Sequence, residues 1–166
     1  MPKTSFVTGH VRVTTTRSFA EVSMAFERQL GRFEPAVLES SSPTEVRTRL
    51  EAMAGTSGFM LFGTFDHGAL LTLFGEPRKA IQYVVGNPLF AMQMTRWKLG
   101  AGLHAPLRVL ISEDGKDTAV EYDTATSLFG QFEDAEVAKV AAMLDQKLEA
   151  LVAAAVKPSH ENTARP

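Results

Sequence analysis

Two short polar triplets carry the groups best suited to chemistry, Asp66-His67-Gly68 and Gly86-Asn87-Pro88, each closing an apolar run. His67 is the catalytic candidate, because a neutral imidazole can act as general acid or base or as an axial ligand to haem. Asp66 beside it is the candidate partner, and in the alternative reading it only caps the segment that follows. Gly86, Asn87 and Pro88 point to binding. Asn is a favoured helix N-cap and Pro a favoured first helical residue, so a helix opens directly off a strand end there. Such an end presents amides and a positive dipole to a carboxylate or phosphate. The same three residues are also ordinary strand-to-helix punctuation.

Other candidates are weaker. Met94, with Met92 and Trp97, could line an apolar pocket for a flat ligand, or be plain core. Arg96 and Arg108 could grip a carboxylate bidentately, although isolated arginines commonly sit in solvated surface pairs. His10 and His104 lie on other elements and could join His67 in a metal or haem site. No histidine spacing matches a zincin or another recognised metal motif, so no metal site is expected and the cofactor is left open. Ser127 lacks the Gly-x-Ser-x-Gly context of a hydrolase nucleophile. With no cysteine in the chain, disulfides, thiolate-held metals and cysteine nucleophiles are excluded.

These residues must be positioned by a sheet. The run Gly58 to Phe65 is apolar at nearly every position, as in a strand buried on both faces, and Ala80 to Val85 alternates as a second strand. Between them, Gly68 to Lys79 is either a short crossover helix or contains a meander strand. Both options place Asp66-His67 and Gly86-Asn87 at the same edge of the sheet, which is the reason to expect one site there.

Elsewhere the signals are local. His10 to Thr16 alternates as a first strand. Ser18 and Glu21 form a capping box opening a helix whose apolar face runs through Phe19, Val22, Phe26, Leu30 and Phe33. Ala36 to Ser41 is ambiguous, a loop or a short strand at Val37-Leu38 inside one, and Ser42-Pro43 starts a second helix stopping near Gly55. Phe90, Met94 and Trp97 share one face of the helix after Asn87. Gly100 to Pro106 reads as loop, Leu107–Glu113 and Thr118–Tyr122 as a hairpin, and Ser127 to Gln131 as connection. A last helix runs from Asp134 to about Val156, and 157–166 is a flexible tail. The expected architecture is α+β, two layers, with a mixed, mostly antiparallel sheet and helices packed on one face, in a single domain over 1–156.

A chain of 166 residues that is 45% hydrophobic can fill one core. Its formal net charge of −2, without runs of like charge, suggests neither nucleic acid nor membrane as a partner. No stretch approaches the length of a membrane span, and a cytoplasmic location is expected. A long first strand on a sheet edge invites cover by a second copy, so a homodimer is expected.

Phe65-Asp66-His67-Gly68, then Val85-Gly86-Asn87-Pro88, then Ala105-Pro106-Leu107-Arg108-Val109-Leu110 before an acidic hairpin turn, resembles the bacterial domain-of-unknown-function family 302 over roughly Phe6 to Val152. The resemblance implies a compact, dimeric α+β domain with no established reaction, and Asp66, His67, Gly86, Asn87 and Pro88 as site residues. Where members usually carry an acidic or aromatic residue before Pro-Leu, this chain has His104-Ala105. The expected function is binding of a small ligand, anionic or flat and apolar, at the sheet edge formed by the two triplets, with Met94 and Arg96 contributing. The alternatives are an enzyme that uses His67 and a structural or regulatory dimer without ligand.

Overall fold

The computed structural model describes residues 5–39 and 42–158. Six strands, β1 (His10–Thr15), β2 (Gly31–Arg32), β3 (Met60–Asp66), β4 (Ala80–Gly86), β5 (Leu107–Asp114) and β6 (Asp117–Asp123), form one sheet in the order β1-β6-β5-β4-β3-β2. Every neighbouring pair is antiparallel except β2 with β3. The helices are α1 (Phe19–Glu27), α2 (Pro43–Met53), α3 (His67–Thr72), α4 (Pro88–Thr95), α5 (Ala125–Gly130) and α6 (Ala135–Val156). The fold is therefore α+β, with a mixed, mostly antiparallel sheet.

Strand alternation decides which face is covered. Val13, Val120 and Ile111 lie side by side, as do Val11, Tyr122, Val109 and Tyr83 in the next row. These rows pack against Val22 and Phe26 of α1 and against Val140, Leu144, Leu148 and Leu151 of α6. Each such side chain removed from water stabilises the fold by about 1.5–3 kcal/mol. The opposite face carries His10, Arg12, Glu121, Asp123 and Arg108, and no helix among the described residues covers it.

Local capping starts most helices where the sequence places them. Ser18 accepts from the Glu21 amide while Glu21 accepts from the Ser18 amide at 2.9 Å, and Asp134 accepts from the Glu136 and Val137 amides. The far end of α6 is held from outside. Arg17 donates to the carbonyls of Ala155 at 2.8 Å and Lys157 at 2.7 Å, placing positive charge on the negative end of the helix.

Several expectations fail where long-range contacts override local pattern. The first helix stops at Glu27 rather than running on towards Phe33, because Gly31 leaves it to donate to the Phe59 carbonyl at 2.9 Å and begin β2. Val37-Leu38 lies in a 3-10 helix, Pro35–Glu39, and not in a strand. The expected loop at Gly100 to Pro106 begins as a 3-10 helix, Leu99–His104. The expected connection at Ser127 to Gln131 lies mostly in α5, whose first amides, Ala125 and Thr126, are capped by the Asp145 carboxylate from α6 at 2.5 and 3.0 Å. β3 is not buried on both faces: Met60 is fully buried, but its far end is exposed because only the two-residue β2 lies beyond it. Most of the expected tail, 159–166, lies outside the described residues.

Candidate functional site

The register of β3 on β4 separates the two triplets. The strands are antiparallel, with Met60 opposite Gly86 and Asp66 opposite Ile81. The five-residue step from Ile81 to Gly86 puts Asp66 and Gly86 about 17 Å apart along the ladder. The expectation that Asp66-His67 and Gly86-Asn87-Pro88 share one sheet edge is thus overturned. The intervening α3 has six residues and does not carry the chain back across the sheet, as a parallel crossover must.

At the Asp66 end the capping reading holds. Asp66 is the N-cap of α3 and accepts from the Ala69 amide at 2.9 Å. His67 is exposed and has no hydrogen bond or ion pair among the described residues. Asp66 borders an open polar cleft of about 510 Å³ with Arg78, Lys79 and Glu113, which His67 does not line. Glu113 accepts from the Lys79 amide at 2.9 Å and pairs with its ammonium at 3.1 Å. The backbone hydrogen bond, followed by the side-chain one, holds the Glu113 carboxyl below its usual range.

The Gly86 end opens into an apolar cavity of about 340 Å³. Its deep wall is Phe59, Met94, Leu107, Phe129 and Leu144, none more than 4% exposed. Its rim includes Leu38, Met92 and a stacked pair, Phe33 and Phe62, with ring centres 4.4 Å apart. Gly86, Asn87, Pro88 and Met94 all line it. Gly86 admits Pro106, since a side-chain carbon there would stand 3.2 Å from the Pro106 Cβ. Arg96 does not line the cavity, and its guanidinium sits 5.1 Å from the centre of the Trp97 ring.

The polar groups at the start of α4 are already used. Asn87 is buried, with Oδ1 accepting from the Leu89 amide and Nδ2 donating to the Gly58 carbonyl, both at 2.9 Å. The Phe90 and Ala91 amides both donate to the Asn87 carbonyl at 3.0 Å, and Pro88 has no amide hydrogen. No spare donor in this turn meets an anion. None of the residues lining the cavity is charged.

The remaining histidines are held apart. His10 on β1 contacts Asp123 through Nδ1 at 3.0 Å and Glu121 through Nε2 at 3.1 Å, and its hydrogen bond to Asp123, then that to Glu121, raises its pKa above 6.5. His104 contacts the Gln131 amide at 2.9 Å and stands edge-on to Phe6 and Phe129; burial, then Arg108, lowers its pKa. Among the described residues no group of three His, Cys, Asp or Glu is arranged to hold a metal. One titratable contact escaped the sequence reading: the hydroxyl of buried Tyr83 donates to exposed Glu27 at 2.8 Å, and burial pushes the Tyr83 pKa up to about 12.

Sequence reasoning found Gly86, Asn87, Pro88, Met92 and Met94 but missed most of the cavity, and Trp97, grouped with the two methionines, does not line it. Phe33, the pair Phe59 and Phe62, Phe90 and Phe129 come from four separate parts of the chain. The available signal was that the chain carries 11 phenylalanines, more than the core of one helix face requires.

Residues 36–155 match the family model for the domain of unknown function DUF302, a narrower span than the Phe6 to Val152 expected from motifs. The fold is similar to the crystal structure of an uncharacterized conserved protein DUF302 from Bacillus stearothermophilus, with a TM-score of 0.65 at 18% identity over 88% of this chain and 97% of that chain. No curated protein matches. The family match covers most of the chain and the shared fold agrees with it: the chain belongs to the DUF302 family.

Proposed function

We propose that this protein binds a compact, uncharged apolar molecule, flat enough to lie among phenylalanine rings, in the cavity beside Gly86-Asn87-Pro88, and that it does so as a cytoplasmic protein. The observation that carries this reading is the composition of the wall: aromatic and methionine side chains, no charge, and a helix start whose donors are all spent. The volume of about 340 Å³ falls within the range of small-molecule sites. The anionic version of the ligand loses the amides on which it depended. A titration with N-phenyl-1-naphthylamine tests the proposal. Wild type should bind the probe with a blue shift, and Ala91→Phe, which thickens the α4 wall, should bind it at least tenfold more weakly at an unchanged melting temperature. Folded wild type that leaves the probe's emission unaltered overturns it.

We also propose a homodimer. Among the described residues β1 pairs only with β6 along His10–Thr15, which leaves its outer backbone edge available to a second copy. Sedimentation at micromolar concentration giving only a species near the 18.1 kDa chain mass would refute this.

A further inference from the structure

From Pro77 to Ser112 the chain contains no Asp or Glu, while carrying Arg78, Lys79, Arg96, Lys98 and Arg108 in a protein of net charge −2. Arg78 and Lys79 lie at the polar end beside Glu113. At the cavity end, Arg96 and Lys98 have no carboxylate partner among the described residues. Interleaved with them are large apolar side chains left in water: Trp97 is 53% exposed, Leu99 85% and Leu103 84%. A single exposed leucine means little, but three such side chains within one short segment whose two cations have no carboxylate partner among the described residues call for a partner.

We propose that the segment Arg96 to Leu103 docks on an anionic lipid surface. Trp97, Leu99 and Leu103 enter the boundary between headgroups and acyl chains, and Arg96 and Lys98 face lipid phosphates. Tryptophan suits this depth, with an apolar body and one N–H donor. The leucines protrude rather than line a groove, which suits a fluid apolar medium better than a shaped protein pocket. Acidic residues near this segment are Glu133 and Asp134, next to Phe132, whose ring abuts Gly100; Asp134 is committed to capping α6. No helix among the described residues is long and apolar enough to cross a membrane, so the contact is peripheral, and it revises the expectation of no membrane partner drawn from net charge alone. Met92, 46% exposed, lies on the cavity rim just before this segment. Lipid is then the source of the cavity's ligand, a link that rests on the ligand-binding reading above.

Trp97 is the one tryptophan in the chain, so its emission reports docking directly. Vesicles of phosphatidylcholine with phosphatidylglycerol should shift it to the blue, and brominated phosphatidylcholine in the same vesicles should quench it. Arg96→Gln and Lys98→Gln should each weaken vesicle binding roughly fivefold. The Leu99→Asp, Leu103→Asp double variant should lose binding while melting like wild type. Unchanged Trp97 emission with anionic vesicles, or equal binding to purely neutral ones, overturns the proposal. A blue shift that instead follows protein concentration without lipid, with a doubled mass, also overturns it and assigns the patch to a second copy. Docking is read with no probe present and probe binding with no lipid, so the two proposals fail separately.

Discussion

Asp66 and Gly86 stand at opposite ends of one antiparallel ladder, Asp66 across from Ile81 and Gly86 across from Met60. Whatever occupies the apolar cavity at Gly86 is therefore out of reach of the carboxylate and imidazole at the other end. His67→Asn should change stability by less than about 0.5 kcal/mol, because the side chain is exposed and has no partner among the described residues. It should also leave N-phenyl-1-naphthylamine affinity unchanged. Thermal melting and a probe titration check both, and a loss of affinity in a fully folded variant would return His67 to the site.

Asn87 joins two parts of the cavity wall, capping α4 and tying it to the Gly58 carbonyl. Asn87→Ala removes the cap and strands a carbonyl, for an expected loss of about 1–3 kcal/mol in urea unfolding. Asn87→Asp keeps the cap oxygen but replaces the donor with a carboxylate against that carbonyl, so it should be destabilising too. An Asn87→Asp variant as stable as wild type would show that the bond to Gly58 contributes nothing.

Gly31 and Gly55 meet backbone to backbone, both donating to the Phe59 carbonyl, at 2.9 and 3.0 Å. A side-chain carbon on Gly31 would overlap the Met53 carbonyl, and one on Gly55 the Gln29 carbonyl. Gly31→Ala and Gly55→Ala should each cost more than about 2 kcal/mol, well above ordinary surface substitutions. Gly75→Ala, whose site is open but has a φ of +74°, should cost less, about 1 kcal/mol. Equilibrium denaturation of the three variants decides the order.

His10 and His104 should titrate on opposite sides of 6.5, which an NMR titration of the imidazole protons reads directly. His10 is raised by its hydrogen bonds to Asp123 and Glu121. Its contribution to stability is present below the unfolded pKa and is lost as pH rises through the folded one. His104 is lowered by burial and by Arg108, so the neutral ring is the stabilising form and the contribution fades as pH falls through the unfolded value towards the folded one. Both residues titrating together at 6.5 would contradict the geometry of each.

The local signals in the chain were sufficient wherever the stabilising contact lies within a few residues. The Ser18 and Glu21 capping box, the Ser42, Asn87 and Asp134 caps, and the two-residue turn at Gly115-Lys116 between paired Asp114 and Asp117 are of this kind. The alternation of β1, β5 and β6 and the helical period of α6 follow from side-chain periodicity alone, and they were enough to settle the α+β class. Five cavity residues, Gly86, Asn87, Pro88, Met92 and Met94, were legible for the same reason: each belongs to one strand-to-helix junction.

Strand direction and the cavity were decided only in three dimensions. Whether β4 runs with or against β3 depends on whether the segment between them crosses the sheet, and the residues of α3 satisfy their own backbone bonds in either case. The close contact of Gly31 with Gly55 ended α1 early, although its apolar period continued to Phe33. Asp145 made α5 a helix from 20 residues away in sequence. The apolar wall required Phe33, Phe59, Phe62, Phe90 and Phe129 to converge from different elements, and hydrophobic attraction is non-directional, so their spacing along the chain carries no mark of that convergence.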